Sequence, residues 1–114
     1  MSLEATELYI LREAKGDWIY ARYFYGPFVS LPLATRHLAA LGLAQSMLAR
    51  RLLSVGDLNE AGFNAWPISV DASLFRLART WPNGAAQEPG LGEIGWFDIT
   101  PEGAAMLERE MLAG

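Results

Sequence analysis

The run SLPLATRHLAALG, Ser30 to Gly42, constrains the fold more than any other stretch. Ser30 can cap a first turn by accepting from an unpaired backbone N–H. Pro32 is tolerated there, because early helical N–H groups have no intrahelical partner. Leu31, Ala34, Leu38 and Leu41 fall at i, i+3, i+7 and i+10, one face of a 3.6-residue period. Thr35, Arg36 and Ala39 lie on other faces, with His37 at a flank. Gly42 is expected to take the left-handed conformation that ends many helices. The stretch demands a helix with something packed against its stripe. By itself it assigns no role, since the core of any small domain uses such helices.

The rest of the chain reads as elements around that helix. Leu3 to Ala14 is predicted helical, with Leu8, Leu11 and Ala14 and either Leu3 or Glu4 as one stripe, and Lys15-Gly16-Asp17 as the stop. DWIYARYFY, Asp17 to Tyr25, fits a strand by its aromatic content, but is read as a helix capped by Asp17. Leu43 to Leu53 fits either a strand leaving the central helix or more helix. Asp57 to Ala61 suits a helical turn. Val70 to Trp81 is predicted as a helix with Asp71 near its cap, a strand being the alternative. Pro82 to Gly92 has the composition of a mobile loop. Ile94 to Ile99 reads as a strand. Thr100 then caps a closing helix with Pro101 in its first turn and Glu102 at its positive end.

Charge is unevenly spread. The whole chain carries −4, a poor footprint for nucleic acid. From Trp18 to Gly56, however, there are four arginines and no acid. Residues 80–114 hold six acids against Arg109. Either these segments pair in space or the fold has one basic and one acidic face. The size, 114 residues with 52% hydrophobic, fits one packed domain. Cysteine is absent and histidine single, which excludes disulfides, thiolate metal sites and the usual zinc sites. No cofactor is expected. No apolar run approaches the roughly 18 residues of a membrane span. The acidic MSLEATEL start lacks the build of a signal peptide, so a cytoplasmic protein without membrane contact is expected.

The helix-rich start followed by WFDITPEGAAMLE resembles the winged helix-turn-helix family, in which a strand commonly runs into a Thr-Pro-x-Gly-like turn before a closing helix. LATRHLAALGLAQ is similar to its recognition helix and what leaves it. The resemblance covers about residues 4–46 and 94–112. Residues 47–93 stand where the family's wing is usually a tight hairpin. The implied fold is α+β: mainly helical with a small β component, a winged helix-like three-helix core over residues 1–114 with a long insertion, 47–93, in the wing region. The implied function is DNA binding, with transcriptional regulation as its setting. Thr35, Arg36 and His37 would face the major groove, while Arg22, Arg50 and Arg51 would neutralise phosphates. Dimers are common in the family, and the helix Pro101 to Leu112 is the interface candidate.

A second reading competes. Trp18, Tyr25, Phe28 and Trp66 belong to an aromatic-rich set that suits a core, or a surface for a protein partner, for self-association or for a small ligand. This reading makes the chain a non-enzymatic binding module. Enzymatic chemistry finds little support. His37 has no serine in a G-x-S-x-G setting. Glu93 and Asp98 fall on opposite faces of the strand read there. Gly90-Leu91-Gly92 lacks a phosphate loop's lysine. The arginines' surroundings decide between the two: one convex face favours DNA, pairing with carboxylates favours the binding module.

Overall fold

A computed structural model describes residues 3–113. It is an α+β fold. In order it runs α1 (Ala5–Gly16), β1 (Ile19–Tyr20), a 3-10 helix (Ala21–Phe28), α2 (Leu33–Ala49), β2 (Leu53–Asn59), β3 (Gly62–Ala65), α3 (Val70–Thr80), β4 (Trp96–Ile99) and α4 (Pro101–Ala113). The strands form one antiparallel sheet in the order β1–β4–β2–β3. Ile19 and Val55 both register with Phe97 of β4. The helices bury their apolar faces against this sheet and each other. Phe24 and Phe97 meet edge to face at 4.8 Å near the centre of the core. Among the described residues no helix is long and apolar enough to cross a membrane.

Helix α1 ends at Gly16, where the sequence places a stop. Its inner stripe is Glu7, Ile10, Leu11 and Ala14, so the expected stripe is displaced toward Ile10 and a buried acid. Glu7 is accommodated because its Oε1 accepts the Glu4 N–H at 3.0 Å and its Oε2 binds Arg50.

The predicted helix over Asp17 to Tyr25 is a two-residue strand followed by the 3-10 helix. Asp17 does not cap it; its backbone is extended and its carboxylate accepts the Trp18 N–H at 2.7 Å. The reason is tertiary. Ile19 and Tyr20 complete the edge of a sheet whose next strand, β4, lies more than seventy residues away.

The central helix departs most from expectation. It begins after Pro32, with neither Ser30 nor any other side chain capping it. It passes through Gly42 to Ala49. Its buried side is His37, Ala40, Leu43, Ala44, Met47 and Leu48. Of the predicted stripe, Leu38 is 63% exposed, Ala34 is exposed, and Leu31 and Leu41 are half-buried. The helix is rich in small apolar residues all round, so period alone selects no face. It ends in a Schellman motif: Leu52 N–H bonds Met47 C=O at 3.0 Å and Arg51 N–H bonds Leu48 C=O at 3.0 Å. Arg51, not a glycine, takes the left-handed position, φ 59°.

Asp57 to Ala61 is not a helical turn but the end of β2 and the tip of a hairpin. Asn59 accepts the Ala61 N–H at 2.8 Å there, and Gly62 provides φ 109°. Helix α3 is capped by Ser69, which accepts from Ala72 N–H at 3.1 Å, with Asp71 in the first turn. Strand β4 starts two residues later than read, at Trp96. The close of the chain is as the sequence predicts. Thr100 Oγ1 accepts the Gly103 N–H at 2.9 Å and donates to Arg51 C=O at 2.5 Å. That hydroxyl ties the start of α4 to the end of α2.

Candidate functional site

The long helix α2 carries the candidate site. Its inward face is anchored at His37, which is fully buried. A carbonyl oxygen only accepts, so the bond of His37 Nε2 to Ala85 C=O at 3.0 Å puts the ring hydrogen on Nε2. Nδ1 is then the acceptor, and the Tyr25 hydroxyl donates to it at 2.6 Å. Burial, reinforced by the charge of Glu88, pushes the Tyr25 hydroxyl up to about 12. Tyr25 stacks on Trp81 with ring planes 2° apart. His37 therefore lies neither at a flank nor toward solvent; it is a core residue with both nitrogens satisfied.

Arg36 leaves the same helix one residue earlier. Its Nη1 donates to Glu88 Oε2 at 2.7 Å, and its Nε and Nη2 donate to Leu31 C=O at 3.1 and 3.0 Å. Arg22 Nε donates to Pro89 C=O at 3.0 Å and lies 4.0 Å from Glu88 Oε1. The segment between α3 and β4 is thus held at Ala85, Glu88 and Pro89, the last fully buried. Its proline- and glycine-rich composition suggests a mobile loop, yet three side chains from the 3-10 helix and α2 clamp it. Glu88 is the residue that sequence reasoning missed. The available signal was the acid-free span 18–56 set against an acidic segment 80–114.

The other expected DNA contacts are scattered. Arg50 pairs with the buried Glu7, about 21 Å along the helix from Arg36 at 1.5 Å per residue. Thr35 is exposed. Arg51 is exposed at the helix end, with no ion pair among the described residues. Arg76 lies over the Trp66 ring at 3.8 Å and Arg79 over Phe75 at 5.5 Å. The arginines do not gather on one face.

The aromatic set is dispersed as well. Tyr25 and Trp66 are core residues rather than exposed rings. Phe28 is half-buried against the core. Trp18 is 38% exposed beside Gly62 of the hairpin. In α4 only the end, Met111 and Leu112, exposes large apolar side chains.

What α2 does present is an outward face of Ala34, Thr35, Leu38, Gly42, Ser46 and Ala49, all exposed. These positions follow one another around a single side of a 3.6-residue helix. None carries an ionisable group. Among the described residues no cluster of three or more His, Cys, Asp or Glu is placed to hold a metal. No family model, curated protein or solved structure matches the chain.

Proposed function

We propose that this chain is a non-enzymatic protein-interaction module on a winged helix-like frame, and that it pairs with a second copy of itself through the outward face of α2. The frame is supported by chain order: helix, strand, two helices, then β2 and β4 flanking an excursion where a wing belongs. The partner is argued from the charge of that face. Copies carrying −4 repel wherever their charges meet, and an uncharged face brings them together without that cost. Gly42, Ala34 and Ala49 permit close backbone approach, and Leu38, 63% exposed, supplies the apolar knob.

The same face argues against a groove reader. Base readout needs long donors and acceptors on the helix that enters the groove. Here that position offers mostly small side chains, and Arg36 is engaged by Glu88 and Leu31.

Sedimentation across a concentration series tests the reading. The wild-type chain is expected to dimerise, and Leu38→Arg to remain monomeric with an unchanged circular dichroism spectrum. A wild-type chain that stays monomeric throughout overturns the reading. Salt-sensitive binding to duplex DNA, weakened by Arg36→Ala, would replace it with the DNA-binding one.

A further inference from the structure

A second site is independent of the α2 face. A cleft of about 250 Å³ opens where the end of α2, strand β2 and the starts of α3 and α4 converge. Leu48, Leu53, Val55 and Trp66 give it an apolar wall, while Arg51 and Glu102 contribute charge. Two observations make it more than a surface dent. Trp66 is 5% exposed, and its indole N–H is buried without a hydrogen-bond partner among the described residues. Buried donors are ordinarily paired, so an unpaired one in a residue that lines the cleft calls for a reason.

The other observation is Arg51 itself. It occupies the left-handed position of the Schellman motif, where glycine is strongly enriched because a side chain strains the backbone. Its carbonyl is fixed by Thr100 Oγ1 at 2.5 Å, which holds the residue at the cleft. Its guanidinium gains no ion pair or hydrogen bond among the described residues in return. A strained backbone that keeps a long cation beside an apolar cleft fits a group that waits for an anion.

We infer that this cleft binds a small molecule with an apolar body and a single carboxylate, the carboxylate meeting Arg51 and the body covering Trp66. Arginine's planar fork matches a carboxylate in two parallel bonds. Glu102, in the same cleft, opposes a multiply charged anion, so phosphate is disfavoured. The volume suits a ligand well below drug size.

The test is an NMR titration of the full chain, following the indole N–H signal that disappears in Trp66→Phe. 3-Phenylpropanoate is expected to shift it saturably. 3-Phenylpropylamine, with the same body and opposite charge, and inorganic phosphate are not. Arg51→Gly keeps the fold, since glycine is the preferred residue at that position, and is expected to weaken 3-phenylpropanoate at least tenfold while raising Tm. The inference is overturned by no saturable shift with 3-phenylpropanoate, by equal or tighter binding of the amine or of phosphate, or by unchanged affinity in Arg51→Gly.

Discussion

Tyr25 donates its hydroxyl hydrogen to His37 Nδ1 across 2.6 Å in a fully buried setting. That contact, with Ala85 C=O on the other nitrogen, fixes the tautomer and joins the 3-10 helix, α2 and the 81–95 segment. Tyr25→Phe keeps the ring and its stacking but leaves Nδ1 without a donor. The expected cost is about 1–3 kcal/mol, read from the urea midpoint with an unchanged m-value.

Alkaline pH gives the same contact a second readout. The folded Tyr25 hydroxyl keeps its proton up to about 12, whereas in the unfolded chain it ionises near 10.0. A raised folded value means this contribution is whole below pH 10.0 and is lost as pH rises toward 12. The loss is on the order of 2 kcal/mol. Tyr9 is also raised, by burial and then by Glu13, and adds its own slope. The difference between wild type and Tyr25→Phe across this window isolates Tyr25. Parallel stability curves for the two proteins would contradict the assignment.

Two glycines in helices should respond oppositely to alanine. A Cβ on Gly103 would stand 2.1 Å from Leu52 C=O, a backbone atom that cannot swing away. Gly103→Ala is expected to destabilise by roughly 3 kcal/mol or more, by forcing α4 off the end of α2. A Cβ on Gly42 would meet nothing within 4 Å. Gly42→Ala, measured at a dilution where the chain is monomeric, should stabilise by about 0.5–1 kcal/mol, the helix-interior gain of alanine over glycine. Thermal melts of the two variants check both signs.

Arg36 and Glu88 form the clamp's ion pair at 2.7 Å, each side chain 22% exposed. Partial shielding from water should make the coupling larger than that of a surface pair. A double-mutant cycle with Arg36→Ala and Glu88→Ala is expected to give about 1 kcal/mol, falling as salt is added. The single variants should also speed amide exchange in the 81–95 segment.

Local chemistry was legible in the sequence. Thr100-Pro101-Glu102-Gly103 starts α4 where composition places it, because a cap depends on residues within one turn. Gly16 ends α1 and α3 spans nearly the predicted range for similar reasons. The α+β class came with the family resemblance that the order of these elements carries, and the fold agrees with it. What needed distant partners was not legible. Ile19 and Tyr20 are a strand only because β4 passes beside them. His37 faces inward only because Tyr25 and Ala85 supply a donor and an acceptor at the right distance. Gly42 fails to stop α2 because the helix beyond it buries Leu43, Ala44, Met47 and Leu48, and packing outweighs a single residue's propensity. Arg36, which the family resemblance places at the major groove, is engaged by a glutamate fifty-two residues later. Sequence alone determined the Thr100 cap of α4, the stop at Gly16 and the charge segregation between residues 18–56 and 80–114, all set by neighbours along the chain. The caps expected at Ser30 and Asp17 and the stop at Gly42 gave way to tertiary contacts. Only the tertiary structure decided which side of α2 is buried and which arginines are occupied. Those outcomes depend on long-range contacts, whose energies exceed the local preferences that a linear reading can see.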